Sequence, residues 1–75
     1  MDQDTIGARL KEARRLARLT QDQLAKRAGL HPKHVAHIEQ GLYRLPRVST
    51  IDKLAGVLGV RPNWLHYGEG PMRDD

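Results

Sequence analysis

Apolar residues fall at Ile6, Leu10, Ala13 and Ala17, three or four positions apart, with Arg9, Arg14, Arg15 and Arg18 interleaved. That spacing predicts an amphipathic helix over residues 5–18, its apolar face widened by Leu16 and Leu19. Further apolar groups follow: Leu24 and Ala25, then Leu30, Val35 and Ile38, then Ile51, Leu54, Ala55 and Leu58, and last Trp64 and Leu65.

The gaps between these groups carry start and stop chemistry. Thr20 can cap a helix while Gln23, three residues on, reaches back to the Thr20 amide, and Leu19 can pack on Leu24 as a hydrophobic staple. Gly29 after Ala28 supplies the left-handed residue that ends a helix, and Pro32 sits where the next helix would have its first residue. His31 then occupies a cap position at which Ser, Thr or Asp is preferred. The stretch GLYRLPRV, residues 41–48, combines a glycine stop and Pro46 with no acid and reads as a basic loop. Ser49 with Asp52 opens a fourth helix that Gly59 stops, and Pro62 starts a short fifth. The expected fold is all-α, a compact bundle of five helices over residues 1–67. Residues 68–75, with two glycines, a proline and three acids, read as a flexible acidic tail.

From Leu19 to Gly41 the chain thus reads as two short helices joined by a glycine turn. Counting from Gln21, the small Ala25 is fifth and Gly29 ninth, while Leu30, Val35 and Ile38 are tenth, fifteenth and eighteenth. With this order of residue types the chain resembles the lambda-repressor-like family, also called Cro-like or XRE-type helix-turn-helix proteins, over roughly residues 5–67. GVRPNWLHYGEGP is similar to the end of the same domain in phage-type repressors. The resemblance implies that the second and third helices form a helix-turn-helix whose second member enters the DNA major groove, N-terminal residues towards the base edges.

Residues 31–40 would then be the reading surface. Setting aside the inward Val35 and Ile38 leaves Pro32, Lys33, His34 and His37 outward, with Ala36 small enough to meet a thymine methyl. The family's motif puts base contacts at Pro32, Lys33 and His37, and Lys33 could donate to guanine O6 and N7. Pro32 departs from the motif, which often has a polar residue there. Backbone phosphate or minor-groove contacts are expected at Gln21, His31, Tyr43, Arg44 and Arg47, with Arg47 directed to a minor groove. By the same resemblance Arg14 pairs with Glu39 as a structural ion pair, and Gln21 braces a residue of the reading helix. Trp64, Leu65 and Tyr67 are either core or a homodimer surface on the last helix. His31, His34 and His37 recur every third residue, a looser spacing than the usual four-residue ligand pair and without a carboxylate to close a site, so no metal is expected.

Charge supports this picture. The net charge is +4, yet five of the nine acids lie in the first four or last seven residues. Residues 5–67 hold twelve Lys and Arg against four acids, an excess of eight positive charges that suits a polyanion. Seventy-five residues allow one domain, which buries about 60% of its unfolded surface. There is no cysteine, no apolar run near 18 residues and no basic-then-apolar leader, so a cytoplasmic protein without disulfides is expected. No cysteine nucleophile, glycine-rich phosphate loop or paired carboxylates point to an enzyme or a cofactor. The expectation is a repressor bound as a homodimer to a palindromic operator. An antitoxin that binds DNA and neutralises a protein partner shares this fold and is the alternative. Whether GEGPMRDD is a natural end or a cut linker is open.

Overall fold

The computed structural model describes residues 5–43 and 46–74. Five helices run along them: α1 (Ile6–Leu16), α2 (Gln21–Arg27), α3 (His34–Glu39), α4 (Val48–Leu58) and α5 (Pro62–Tyr67); no strand occurs among the described residues. The all-α, five-helix expectation holds.

Local chemistry accounts for most of the boundaries. Thr5 Oγ1 accepts from the Ala8 amide at 3.1 Å and starts α1. At α2 the capping box closes in both directions, the Gln23 amide donating to Thr20 Oγ1 at 3.0 Å and the Thr20 amide donating to Gln23 Oε1 at 2.9 Å. Helix α2 ends in a Schellman turn in which Leu30 N–H donates to Ala25 O at 2.8 Å and Gly29 sits at φ +70°. The end of α1 repeats these bonds, Leu19 N–H to Arg14 O at 3.2 Å, with Arg18 in the left-handed place at φ 60°. A side chain there costs about 1–2 kcal/mol, and no glycine marks the stop in the sequence. The helix expected over residues 5–18 therefore closes at Leu16, and both Leu16 and Ala17 are exposed instead of widening an inward face.

Two further boundaries differ from expectation. Helix α4 begins at Val48 with Arg47 as its cap residue and no side-chain cap bond, so Ser49 lies inside the first turn. Burial of Thr50 and Ile51 holds that turn in place of a hydroxyl cap. Helix α3 begins later than expected, for a reason given below. Gly59 and Gly68 end α4 and α5 in left-handed conformation, and Pro62 opens α5.

The core gathers Leu10 and Ala13 of α1, Leu24 and Ala25 of α2, Val35 and Ile38 of α3, Ile51, Leu54 and Leu58 of α4, and Trp64 and Leu65 of α5. Helix α1 packs on α3 and α5, α4 on α5 and α2, and α2 on α3. Trp64 and Leu65, considered for a dimer surface, are 7% and 0% exposed and fill this core because α5 lies flat against α1 and α4; of the three residues named there, only Tyr67 is open to solvent. After α5 the chain returns over the body. Met72 O accepts from the Arg61 amide at 2.8 Å, and the Met72 side chain packs on the core. No helix among the described residues is long and apolar enough to cross a membrane.

Two residues of α1 have roles that helical periodicity does not separate from their neighbours. Arg9, grouped with the interleaved surface arginines, is 5% exposed. Its Nε donates to Leu65 O at 3.0 Å and its Nη2 to His66 O at 2.9 Å, filling carbonyls that the last turn of α5 leaves without helical partners. Gly7 faces the end of α3 so closely that a Cβ would lie 2.6 Å from Ile38 O and 2.9 Å from Glu39 O. Both are backbone atoms, so one helix would have to move.

Opposite outcomes are expected at two helical glycines. Gly7→Ala should lose about 1–3 kcal/mol by overpacking. Gly56→Ala, in α4 with nothing within 4 Å of the new Cβ, should gain close to 1 kcal/mol of helix propensity. Thermal melts should shift downwards for the first and upwards by several degrees for the second; shifts of the same sign would contradict the close approach of α1 to α3.

Candidate nucleic-acid interface

Helix α3 carries the candidate reading surface, and the turn before it explains where it starts. The His34 amide donates to His31 O at 2.9 Å, which closes a four-residue turn with Pro32 and Lys33 at its centre. Lys33 has φ −86° and ψ −4°, the values of the third position of a type I turn, whose second position favours proline. Pro32 thus lies two residues before the first residue of α3 and not at it, and the helix opens at His34. His31 does cap locally: its Nδ1 accepts from the Lys33 amide at 3.1 Å.

Val35 and Ile38 are buried against the core, so the opposite side of α3 and its leading turn face outwards. Pro32 and Lys33 are exposed, while His34, Ala36 and His37 are half-buried. The half-burial of the two imidazoles has a visible source. Gly41, at φ +77°, ends α3, and the Leu42 amide donates back to His37 O at 3.0 Å. The chain reverses, and the Tyr43 ring comes to lie 5.2 Å from that of His34 and 6.1 Å from that of His37, centre to centre. Tyr43 itself is 40% exposed.

The other end of α3 is fixed by charge. Arg14 of α1 grips Glu39 with two bonds, Nε to Oε2 at 2.7 Å and Nη2 to Oε1 at 3.1 Å, and its Nη1 donates to Leu19 O at 2.9 Å. Gln21 of α2 donates from Nε2 to Glu39 Oε1 at 3.0 Å. The Arg14 and Glu39 side chains are 13% and 4% exposed, so the pair lies largely out of water. Gln21 is half-buried and its side-chain amide is engaged by this carboxylate. Arg47, the cap residue of α4, is exposed, and Arg44 lies outside the described residues.

The structure therefore brings Pro32, Lys33, His34, His37 and Tyr43 to one end and side of α3, with His31 in the turn that leads in. Gly7, which lets α1 approach the end of this helix, and Arg9, which holds the end of α5, were both missed. The signal for Arg9 was present: positions 6, 9, 10 and 13 follow the i, i+3, i+4, i+7 stripe, which places it inside the apolar face.

Comparison with known proteins places this geometry in context. A family model described as helix-turn-helix matches residues 10–65. The immunity repressor of Bacillus phage phi105 is 42% identical over 57 residues, 76% of this chain and 39% of that protein. The HTH-type transcriptional regulator PrtR of Pseudomonas aeruginosa is 36% identical over 67 residues, 89% of this chain and 25% of that protein. The chain thus spans about two fifths or less of the length of these curated relatives. Among solved structures, SinR of Bacillus subtilis, a master regulator for biofilm formation crystallised with DNA, superposes with a TM-score of 0.78 at 30% identity, covering 81% of this chain and 97% of that one.

Removal of Arg14 would leave the Glu39 carboxylate buried with one amide partner. Arg14→Ala should cost about 3–5 kcal/mol, the range for breaking a buried pair from one side. A fall in melting temperature of more than about 10 °C is expected in a domain of this size; an unchanged melt would show that the pair carries no stability.

Proposed function

The chain belongs to the helix-turn-helix family, and on that premise we propose that it is a sequence-specific DNA-binding transcriptional regulator, a repressor of the phage type. One observation carries the reading: the leading turn and first residues of α3 hold Pro32 and Lys33 in solvent, with His34 and His37 beside them, while the opposite side of the helix is buried. A short helix anchored at its C-terminal end and open at its N-terminal end is the form that enters a major groove tip-first. Its work is binding and not catalysis.

In this reading Lys33 donates to guanine, and the imidazoles of His34 and His37 supply polar contact to base edges. Pro32 offers apolar contact alone. Arg47, Tyr43 and His31 flank the tip and meet the sugar-phosphate backbone, with Arg47 directed to a minor groove. The Gln21 side chain is committed to Glu39, so a phosphate contact from Gln21 would use its backbone amide. The basic body, with eight excess positive charges over residues 5–67, draws the polyanion in. The relatives named as repressor and regulator, and the solved SinR complex with DNA, support this function for the chain. A homodimer on a two-fold symmetric operator, its reading helices about one helical turn or 34 Å apart, is the assembly proposed.

Selection of duplexes from a random pool should enrich a two-fold symmetric motif. Affinity for it should fall linearly in log–log terms with salt, by close to one power of concentration for each phosphate neutralised. Lys33→Ala should cost about 1–3 kcal/mol on the enriched duplex and relax the preference at a single base pair per half-site. Failure to enrich any motif, or a Lys33→Ala protein with an unaltered motif, would contradict the reading.

A further inference from the structure

The loop after α3 holds an aromatic side chain where a simple phosphate contact would not require one. Tyr43 is four residues beyond the end of α3, yet the reversal at Gly41 returns its ring to the helix, next to two side chains one turn apart. The centre-to-centre distances to His34 and His37, 5.2 and 6.1 Å, lie in the range of favourable aromatic contacts, with the rings tilted by 51° and 55°, between stacked and edge-to-face. One ring therefore touches both imidazoles of the candidate reading surface.

We propose that Tyr43 is a positioning residue for base recognition: its ring fixes the orientation of the His34 and His37 imidazoles, and so sets which base edges they can meet. The inference rests on the DNA-reading function proposed above. An imidazole on an outward helix face is free to rotate about two side-chain bonds, and each ring orientation presents a different nitrogen to the groove. A ring packed against both histidines removes that freedom before DNA arrives, so less ordering remains to be paid for at binding and the wrong base is met by a side chain that cannot adapt. The burial of both histidines to an intermediate degree, in an otherwise exposed tip, accords with this. Tyr43 would thereby shape specificity at base pairs it does not itself touch.

The test separates the ring from the hydroxyl. Wild-type protein, Tyr43→Phe and Tyr43→Leu are compared on the duplex that wild type enriches from a random pool, on single-base-pair variants of it, and on poly(dI-dC). The quantity read is the ratio of affinities between the enriched duplex and each variant, in which any bond from the hydroxyl to the sugar-phosphate backbone cancels. Tyr43→Phe should keep these ratios whatever its affinity for poly(dI-dC). Tyr43→Leu should lower them about three- to tenfold, the scale of an aromatic pair of this kind, at the base pairs whose preference also changes in His34→Ala or His37→Ala. In the free proteins, the imidazole proton resonances of both histidines should move in Tyr43→Leu and the core methyl resonances should not, which distinguishes loss of positioning from loss of fold. The proposal is overturned if Tyr43→Leu weakens binding equally on every duplex, if Tyr43→Phe loses the ratios as fully as Tyr43→Leu, or if the core methyl resonances move as far as the imidazole ones. A wild-type protein that prefers no sequence overturns the function it rests on, and this inference with it.

Discussion

Glu39, the last residue of α3, places one nearly buried carboxylate where three helices meet. Arg14 reaches it from α1 with two bonds and Gln21 from α2 with one, and the same arginine holds the Leu19 carbonyl in the turn between those helices. A six-residue helix has little stability of its own, since the cost of nucleation is recovered over too few hydrogen bonds. The position of α3 is therefore a tertiary property, set by this anchor together with the burial of Val35 and Ile38. Each Glu39 oxygen is satisfied by charge-assisted or amide donors, which offsets part of the cost of taking the ions out of water.

Helix α1 serves as the reference for both ends of the domain. Arg14 fixes α3 and Arg9, one and a half turns earlier, fixes the C-terminal carbonyls of α5. Between them Leu10 and Ala13 fill the core, and Gly7 allows α1 to approach the end of α3 to within touching distance of its carbonyls. Two arginines thus do with directed hydrogen bonds what so small a core would do poorly with area alone. Their fork geometry suits this use, because a lysine could not reach two acceptors in fixed directions at once.

Apart from the buried Val35, the anchoring of α3 at its C-terminal end leaves the outward side chains of its leading turn outside the core. Pro32 and Lys33 sit in a turn closed by backbone atoms and by the His31 ring, so their side chains contribute little to the fold. That separation has a functional logic. Side chains at the tip can be exchanged without disturbing the core, while the anchor and the core side of the helix hold the tip in place. The Tyr43 ring belongs to the tip's own support.

Features that depend on contacts within five residues were legible in the chain: the Thr20 and Gln23 box, the Gly29 turn, the stop at Gly59, and Pro62 at the start of α5. Where two local solutions use the same residue, the reading was ambiguous. Pro32 fits the first turn of a helix and the second position of a type I turn equally well, because both need its fixed φ and no amide hydrogen, and the registration of Val35 and Ile38 in the core selects the second. The end of α1 at an arginine in left-handed conformation and the uncapped start of α4 escaped notice for a different reason: packing of the neighbouring segments overrides local preferences worth about 1–2 kcal/mol. Arg9 and Gly7 acquire their roles from backbone atoms more than thirty residues away in sequence, and Trp64 and Leu65 could be assigned to the core only once α5 was seen lying against α1 and α4. The amino-acid order thus determined where helices start, stop and turn their apolar sides, since those choices are made by near neighbours. Which charged and small residues join the helices, and how the tip of α3 is held, was decided by tertiary structure, because such contacts exist only after distant segments have met.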